Sequence, residues 1–175
     1  MLWFALLVSS IILTTLIVAY NRLVRDKHRV FSGWSDIDVQ LKRRHDLLPK
    51  LVSTIKQYAE YEQSTLNHVT ELRQQAQVLQ QAGERSGVEN QLSQSLIKIY
   101  ALVEDYPELK ANQSYLDLQH EITAVERDIQ FARRYYNGAV NNLNTRLETF
   151  PDLIVASLLK FKPAEYFEFT ETIEG

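Results

Sequence analysis

The sequence predicts an all-α protein in which an N-terminal transmembrane helix is followed by an antiparallel up-and-down helical bundle. Three observations favour this fold class. Only five Gly and four Pro occur in 175 residues, so few positions suit the turns of a sheet. Residues 2–20 are uncharged and mostly apolar, and from residue 30 onward apolar residues recur in alternating steps of four and three. We expect an anchor at residues 1–21, a bundle at residues 22–160 and an aromatic, acidic tail at residues 161–175 that folds back on the bundle.

The composition excludes several kinds of chemistry. The chain has no Cys, which rules out disulfides, thiol catalysis, Cys-ligated metals and a lipidated Cys. Its net charge of −3 is too small to indicate a nucleic-acid partner, but the charge is unevenly distributed. Residues 21–50 carry eight Lys or Arg and four Asp, whereas residues 148–175 carry two Lys and six acids. We therefore expect a basic region beside the membrane and an acidic tail.

The apolar run Leu2–Tyr20 has the length of a membrane span. Its nineteen residues would form a helix of roughly 28 Å, close to the thickness of the hydrocarbon layer. A cleaved signal peptide is the competing interpretation. No Lys or Arg precedes the run, and Ile17 rather than a small residue stands two positions before Ala19, so we favour an uncleaved anchor.

The residues that flank the run predict its placement. Trp3 and Tyr20 stand at the two ends, where amphipathic aromatic side chains prefer the membrane interface. Basic residues follow the run, beginning with Arg22 and Arg25, and none precedes it. By the positive-inside rule, we expect the N-terminus outside and the bundle in the cytoplasm.

The spacing after the span predicts one long helix. The seam positions are Val30, Trp34, Ile37, Leu41, Arg44, Leu48, Leu51, Ile55 and Tyr58. A seam of this period packs against neighbouring helices at a shallow angle. Because its phase continues across Pro49, we expect a helix from about Asp26 to Gln81 that kinks at Pro49 rather than breaks. We expect a turn at Gly83–Gly87, with Ser86 or Gly87 capping the next helix.

Three further helices are predicted. The first begins near Val88 and ends near Pro107, because proline cannot continue the helical hydrogen-bond ladder, and residues 109–112 form a connection. The second spans Tyr115–Leu147 and ends before Pro151, and a short apolar helix follows at residues 152–159. Aromatic residues of the tail are expected to pack back on the bundle, namely Phe161, Tyr166, Phe167 and Phe169.

The segment from residue 34 to residue 49 is the candidate interaction site, because charges and a proline interrupt the apolar seam there. Its candidate residues are Trp34, Asp36, Asp38, Arg44, His45, Asp46 and Pro49. An ionised Arg44 on the seam needs carboxylate partners, either from its own helix at Asp38, Asp46 and Glu62 or from elsewhere in the bundle. One interpretation is a structural polar layer that fixes helix register.

Two other interpretations of this segment stay open. In one, Pro49 frees the carbonyl of His45, which together with Arg44 and Asp46 receives a partner protein or a lipid headgroup. In the other, the bundle holds a metal or catalytic site. The chain lacks the Glu-x-x-His motif of bundle metalloproteins, and it has no Gly-rich phosphate loop. The sequence therefore predicts no catalytic residue, no metal ligand and no cofactor.

A resemblance to a known family rests on several runs in order along the chain. These runs are Tyr20–Val24, Trp34–Leu47 with Pro49, Tyr106–Asn112, Ala132-Arg133 with Tyr136-Asn137, Phe150-Pro151 and Tyr166–Glu168. In them, the chain resembles the LemA family of bacterial membrane proteins over almost its whole length. The resemblance implies one N-terminal transmembrane helix and an antiparallel helical bundle, and it supplies no catalytic residue. This sequence departs from the family at Lys50, in place of the usual Asn, and at Lys160-Phe161, in place of Gly-Phe.

We expect a non-enzymatic, single-pass protein of the bacterial cytoplasmic (inner) membrane that acts as a self-assembling scaffold or adaptor for membrane-associated complexes. Its expected partners are the lipid bilayer, further copies of the chain and other membrane proteins. Self-assembly is predicted because only shorter helices are available to cover the longest one. The Arg133-Arg134 pair has acidic neighbours, so we expect no nucleic-acid binding. The alternative is a metal-dependent or hydrolytic enzyme built in the bundle.

Overall fold

The computed structural model describes residues 1–59 and 61–167, and within these ranges it contains six α-helices and no strand. The helices are α1 (Leu2–Lys56), α2 (Gln63–Val78), α3 (Ala82–Val103), α4 (Pro107–Lys110), α5 (Gln113–Glu148) and α6 (Asp152–Leu158). The prediction of an all-α protein with a long apolar N-terminal helix and a helical bundle is confirmed.

Helix α1 joins the apolar run to the first part of the bundle in one uninterrupted helix of 55 residues. By length and composition, it is the one helix of the described residues that could cross a membrane. Pro49 lies inside α1, so the helix does not break at the proline. The predicted extent to Gln81 is wrong, because α1 ends at Lys56 and α2 begins at Gln63. No Pro or Gly marks this connection, and the apolar spacing runs through it, so the pattern alone did not reveal the break.

The turn predicted at Gly83–Gly87 is also wrong, since both glycines lie inside α3. The chain turns earlier, where Leu79 and Gln81 have extended backbone conformations. Ser86 does not cap α3, because it lies inside the helix, where its hydroxyl donates a hydrogen bond of 2.7 Å to the carbonyl of Gly83. Ala82 and Ser86 are buried, which shows that packing of one face of α3 overrides the low helix propensity of glycine.

The C-terminal half agrees closely with the sequence pattern. α3 ends at Val103, and a short helix, α4, contains the first half of the connection predicted at residues 109–112. α5 runs from Gln113 to Glu148, and Gly138 does not interrupt it. The Phe150–Pro151 peptide bond is cis, and α6 follows it directly.

The described chain forms two compact units. Unit 1 contains residues 1–35 and 133–166, and unit 2 contains residues 36–132 together with Phe167. The core of unit 1 consists of Ala19, Leu23, Leu143, Leu147, Val155 and Ala156. Because Ala19 and Leu23 pack with Leu143 and Leu147 while Trp34 contacts Tyr136, α1 and α5 are antiparallel in this unit.

The tail begins with ordered contacts to unit 1. Phe161 packs on the core of that unit, and the side-chain amide of Asn144 exchanges hydrogen bonds of 2.9 and 3.0 Å with the backbone of Ala164. The hydroxyl of Tyr136 donates to the carbonyl of Glu165 at 2.8 Å. Phe167 is buried, Tyr166 is exposed, and Phe169 lies outside the described residues.

Candidate functional site

A buried polar centre in unit 2 surrounds Arg44. α1 supplies Arg44 and His45, α3 supplies Glu89 and Ser93, and α5 supplies Glu126. We call these five residues the Arg44 centre. Arg44 is only 1% exposed, and His45 and Glu89 are each 2% exposed. Three helices distant in sequence therefore meet at one charged side chain.

The guanidinium group of Arg44 bonds to both neighbouring helices. Its Nη1 donates to Oε1 of Glu126 at 2.6 Å and to the hydroxyl oxygen of Ser93 at 2.7 Å. Its Nη2 donates to the carboxylate of Glu89 and, at 3.3 Å, to the backbone carbonyl of the same residue. Burial alone would lower the pKa of Arg44, but the charges and hydrogen bonds of Glu126 and Glu89 raise it. Arg44 is therefore held in its charged form between two carboxylates.

Glu89 is the most connected acid of the centre. The Nε2 of His45 lies 3.1 and 3.3 Å from its two carboxylate oxygens, and the Nε of Arg85 lies 3.6 Å from one of them. Burial alone would raise the pKa of Glu89, but the hydrogen bond from His45 and the charge of Arg44 lower it below its ordinary value. Arg85 also pairs at 2.8 Å with Asp38 on α1, which extends the centre toward the surface.

The charged groups of the centre are paired with one another, although the Nε of Arg44 and the Oε1 of Glu89 are buried without a hydrogen-bond partner. Arg44 faces the carboxylates of Glu89 and Glu126, Arg85 lies beside Glu89, and the side chain of Glu126 is 24% exposed to solvent. The imidazole of His45 is bonded to Glu89 and has almost no exposed surface on which to meet a solute. Within residues 1–59 and 61–167, no cluster of three or more His, Cys, Asp or Glu side chains is arranged to hold a metal ion. Chemically, the arrangement is suited to fixing the register of α1, α3 and α5.

The carbonyl oxygen freed by Pro49 has an internal donor. Proline at position 49 has no N–H to give to the carbonyl of His45, and the Nε of Arg73 on α2 donates to that oxygen at 2.7 Å. Beside the proline is a groove of about 350 Å³ between α1 and α2. It is lined by Leu48, Pro49, Val52, Ser53, Lys56, Val69, Thr70 and Arg73.

The structure distributes the predicted site residues over both units. Arg44 and His45 lie in the Arg44 centre and Asp38 at its edge, whereas Asp36, Asp46 and Pro49 are exposed. Trp34 belongs to unit 1, where its ring lies 5.6 Å from that of Tyr136. The four membrane-flanking residues are exposed, namely Trp3, Tyr20, Arg22 and Arg25.

The acids that pair with Arg44 were not singled out from the sequence. Of the two sources considered, the same-helix candidates Asp38, Asp46 and Glu62 are wrong, and the carboxylates come from α3 and α5. A signal for one of them was present. The apolar seam of α3 runs through Leu92, Leu96, Ile99 and Val103 in steps of four, three and four. One further step of three residues before Leu92 falls on Glu89, so the spacing places an acid on the buried seam.

A second polar cluster lies in unit 1, where its residue on α1, Asp26, follows the apolar run. The Nε of Arg146 donates to Asp26 at 2.5 Å, and its Nη1 donates to Asp152 at 3.0 Å. Arg29 also pairs with Asp26 at 3.1 Å. The hydrogen bond to Asp26 is the main reason that the pKa of Arg146 is raised. This cluster joins α1, α5 and the first turn of α6.

Comparison with known proteins identifies relatives over most of the chain. The sequence model of the LemA family matches residues 33–174, which include the Arg44 centre. Protein LemA of Metamycoplasma hominis is 29% identical over 153 residues, covering 86% of this chain and 69% of the relative. Magnetosome protein MamQ 2 of Paramagnetospirillum magneticum is 24% identical over 195 residues, covering 94% of this chain and 72% of the relative. Magnetosome protein MamQ of Magnetospirillum gryphiswaldense is 23% identical over 181 residues, covering 89% and 66% respectively.

Proposed function

This chain belongs to the LemA family, and from that premise we propose that it is a non-enzymatic, single-pass membrane protein that acts as a self-assembling scaffold or adaptor for membrane-associated complexes. The observation that carries the proposal is the continuity of α1. The same helix contains the apolar window and, from Ala19 onward, contributes side chains to a packed helical core. The candidate anchor is therefore part of the helical fold rather than a separate segment.

The bonding of the Arg44 centre supports a structural rather than a catalytic role. A catalytic base or nucleophile must reach a substrate within hydrogen-bonding distance. His45 and Glu89 are bonded to each other and are almost wholly enclosed. The chemistry of the centre is thus directed at neighbouring helices.

Exposed apolar side chains of unit 2 support self-assembly or partner binding. Large apolar residues are exposed on four helices, namely Val39 on α1, Val78 on α2, Ile97 on α3 and Leu116 on α5. Apolar side chains that a bundle leaves in solvent are available to a second copy or to another protein.

Light scattering of the detergent-solubilised full chain tests self-assembly. We expect a protein mass, after subtraction of the detergent, of at least two copies. Val39→Asp and Ile97→Asp should each shift the protein toward the monomer, and the matched change Gln130→Asp on an exposed polar position should not. A strict monomer at every concentration tested would contradict self-assembly.

The orientation we propose places the bundle in the cytoplasm and the N-terminus outside, on the evidence of the basic residues after the apolar run. The chain has no Cys, so Gln130→Cys creates one labelling site without removing any other, at an exposed position that self-assembly is not expected to cover. In spheroplasts, from which the outer membrane has been removed, a membrane-impermeant maleimide should label this position only after permeabilisation, whereas an epitope tag ahead of Met1 should bind antibody on the intact spheroplasts. The reverse pattern would overturn the orientation and leave the scaffold role standing.

A further inference from the structure

We propose that Phe150–Leu159, which we call the α6 segment, is a second membrane contact and lies within the lipid bilayer beside α1. The inference rests on the proposed function only in taking the apolar run of α1 as a membrane span. It adds a lipid-embedded element from the C-terminal half of the chain, where the apolar stretch is much too short to span a membrane by itself.

The α6 segment lies along the second half of the apolar run. Val155 and Ala156 pack in one core with Ala19 and Leu23. Further along α1, Phe150, Pro151 and Ile154 border, together with Ile11, Ile12 and Leu16, a cavity of about 240 Å³. The contact with α1 therefore reaches from Leu23 to about Ile11.

The position of the α6 segment determines how much of the apolar run is left to span the membrane. If the α6 segment stayed in water, only Leu2–Ser10 would remain for the hydrocarbon layer. Nine residues of helix are about 14 Å long, roughly half of the 30 Å that a span must cross. A spanning α1 consequently requires the α6 segment to occupy the bilayer with it.

The surface of the α6 segment suits lipid as its occupant. Ten residues from Phe150 to Leu159 include one charge, that of Asp152. Apart from the small, exposed Ser157, its outward side chains are large and apolar, namely Phe150, Leu153, Ile154, Leu158 and Leu159, all of them exposed. This surface is continuous with the exposed apolar side chains of the run itself, so one hydrocarbon phase covers both.

The one acid of the segment faces protein rather than the outer surface. Asp152 is buried, and its Oδ2 accepts a hydrogen bond from Arg146, which also pairs with Asp26, whereas its Oδ1 has no hydrogen-bond partner. Ionisable groups at membrane depth are tolerated when they face protein and are paired in this way. The backbone entering α6 is likewise bonded, since the N–H of Leu153 donates to the carbonyl of Thr149 at 2.8 Å.

Basic residues stand where the segment leaves the apolar region. Lys160 and Lys162 follow it directly, and with Lys27 they border a cavity of about 400 Å³ whose other walls include Leu143 and Phe161. The Nζ of Lys27 lies 5.9 Å from the centre of the Phe161 ring. Lysines beside an apolar pocket at the end of a span are placed for anionic lipid headgroups, as the flanking arginines of α1 are.

Site-directed spin labelling of the full chain in lipid vesicles tests the proposal. The absence of native Cys permits single-Cys variants at Ile154→Cys and Leu158→Cys in the α6 segment. Leu13→Cys is the control for the span, and Gln130→Cys is the control outside it, because Gln130 is exposed in unit 2 at a position that self-assembly is not expected to cover. Power saturation compares the access of oxygen, which concentrates in lipid, with that of a water-soluble nickel chelate.

We expect the labels at positions 154 and 158 to be more accessible to oxygen than to nickel, as at position 13, and the label at position 130 to show the opposite order. Nickel access at 154 and 158 combined with lipid access at 13 would overturn the inference while leaving the span intact. Nickel access at 13 would overturn the span and the inference together. Loss of access to both reagents with spin–spin broadening between copies would show that a second chain, rather than lipid, covers the segment, which also overturns it.

Discussion

Removing the charge of Arg44 should lower the stability of the bundle far more than removing the charge of the neighbouring Arg43. Arg44→Met keeps most of the apolar volume of the side chain but deletes the guanidinium group. Breaking a buried ion pair by removing one partner costs about 3–5 kcal/mol, because the other partner is left uncompensated. Glu89 would retain His45 and Arg85, and the part-exposed Glu126 would gain water, so we expect a loss near the lower end, about 3 kcal/mol.

The assay is urea unfolding of the full chain in detergent micelles, followed by helical circular dichroism. Arg43→Met is the matched control: its side chain is 55% exposed and lies 3.6 Å from Asp128. An exposed pair of this kind is worth about 0.2–1 kcal/mol. The double variant Arg44→Met with Glu89→Met should lose less than the sum of the two single changes, because the second change removes the uncompensated charge.

Two results would refute this reasoning. A loss from Arg44→Met no larger than that from Arg43→Met would show that the guanidinium group is not desolvated in the folded bundle. Additive losses in the double variant would show that Arg44 and Glu89 do not interact directly.

Three further predictions concern other parts of the structure. The pKa of Glu89 is lowered from its ordinary 4.5, so the stability that its charged form contributes should be complete above pH 4.5 and lost as the pH falls further. In Glu89→Gln, the free energy of unfolding should therefore depend less on pH in the acid range. An unchanged pH dependence would count against the lowered pKa. Arg73→Met should lower the free energy of unfolding in urea by about 1–2 kcal/mol, because it removes the donor to the carbonyl of His45. This loss should be smaller in a Pro49→Ala background, where residue 49 has an amide N–H for the same carbonyl. Equal losses in both backgrounds would contradict this. Gly33→Ala should destabilise the protein by about 1–3 kcal/mol, because its Cβ would lie 3.1 Å from a backbone carbon of α5. Gly138→Ala, whose Cβ would meet open space, should stabilise it by about 0.5–1 kcal/mol. Thermal midpoints that move in the same direction would refute the close contact between Gly33 and α5.

Much of the fold followed from the spacing of apolar residues. The seam of α5 and the prolines at positions 107 and 151 located α5, α6 and the end of α3 closely, because long amphipathic periods and helix-breaking residues act locally; the short helix α4 was predicted as a connection. The burial of Arg44 followed from the same spacing, since a helix face that packs along its length also buries the charge it carries.

The remaining features depend on contacts that the local sequence does not encode. The connection between α1 and α2 contains no breaker, and the glycines at positions 83 and 87 lie inside a helix because its buried face is packed. The pairing of Arg44 with Glu126 joins residues 82 apart, and the donation by Arg73 to the carbonyl of His45 joins residues 28 apart. Which acid or donor fills such a position is decided by how the helices meet.

The order of synthesis gives the Arg44 centre a further consequence. Glu126 is made 82 residues after Arg44, which at about 5–20 residues per second corresponds to roughly 4–16 s of translation. Until then the guanidinium group lacks its second carboxylate and keeps part of its hydration. Under the proposed membrane span, the N-terminal run is synthesised and available to the membrane before unit 2 can close, and a ribosome stalled ahead of Glu126 would hold a half-assembled bundle open to proteases and chaperones.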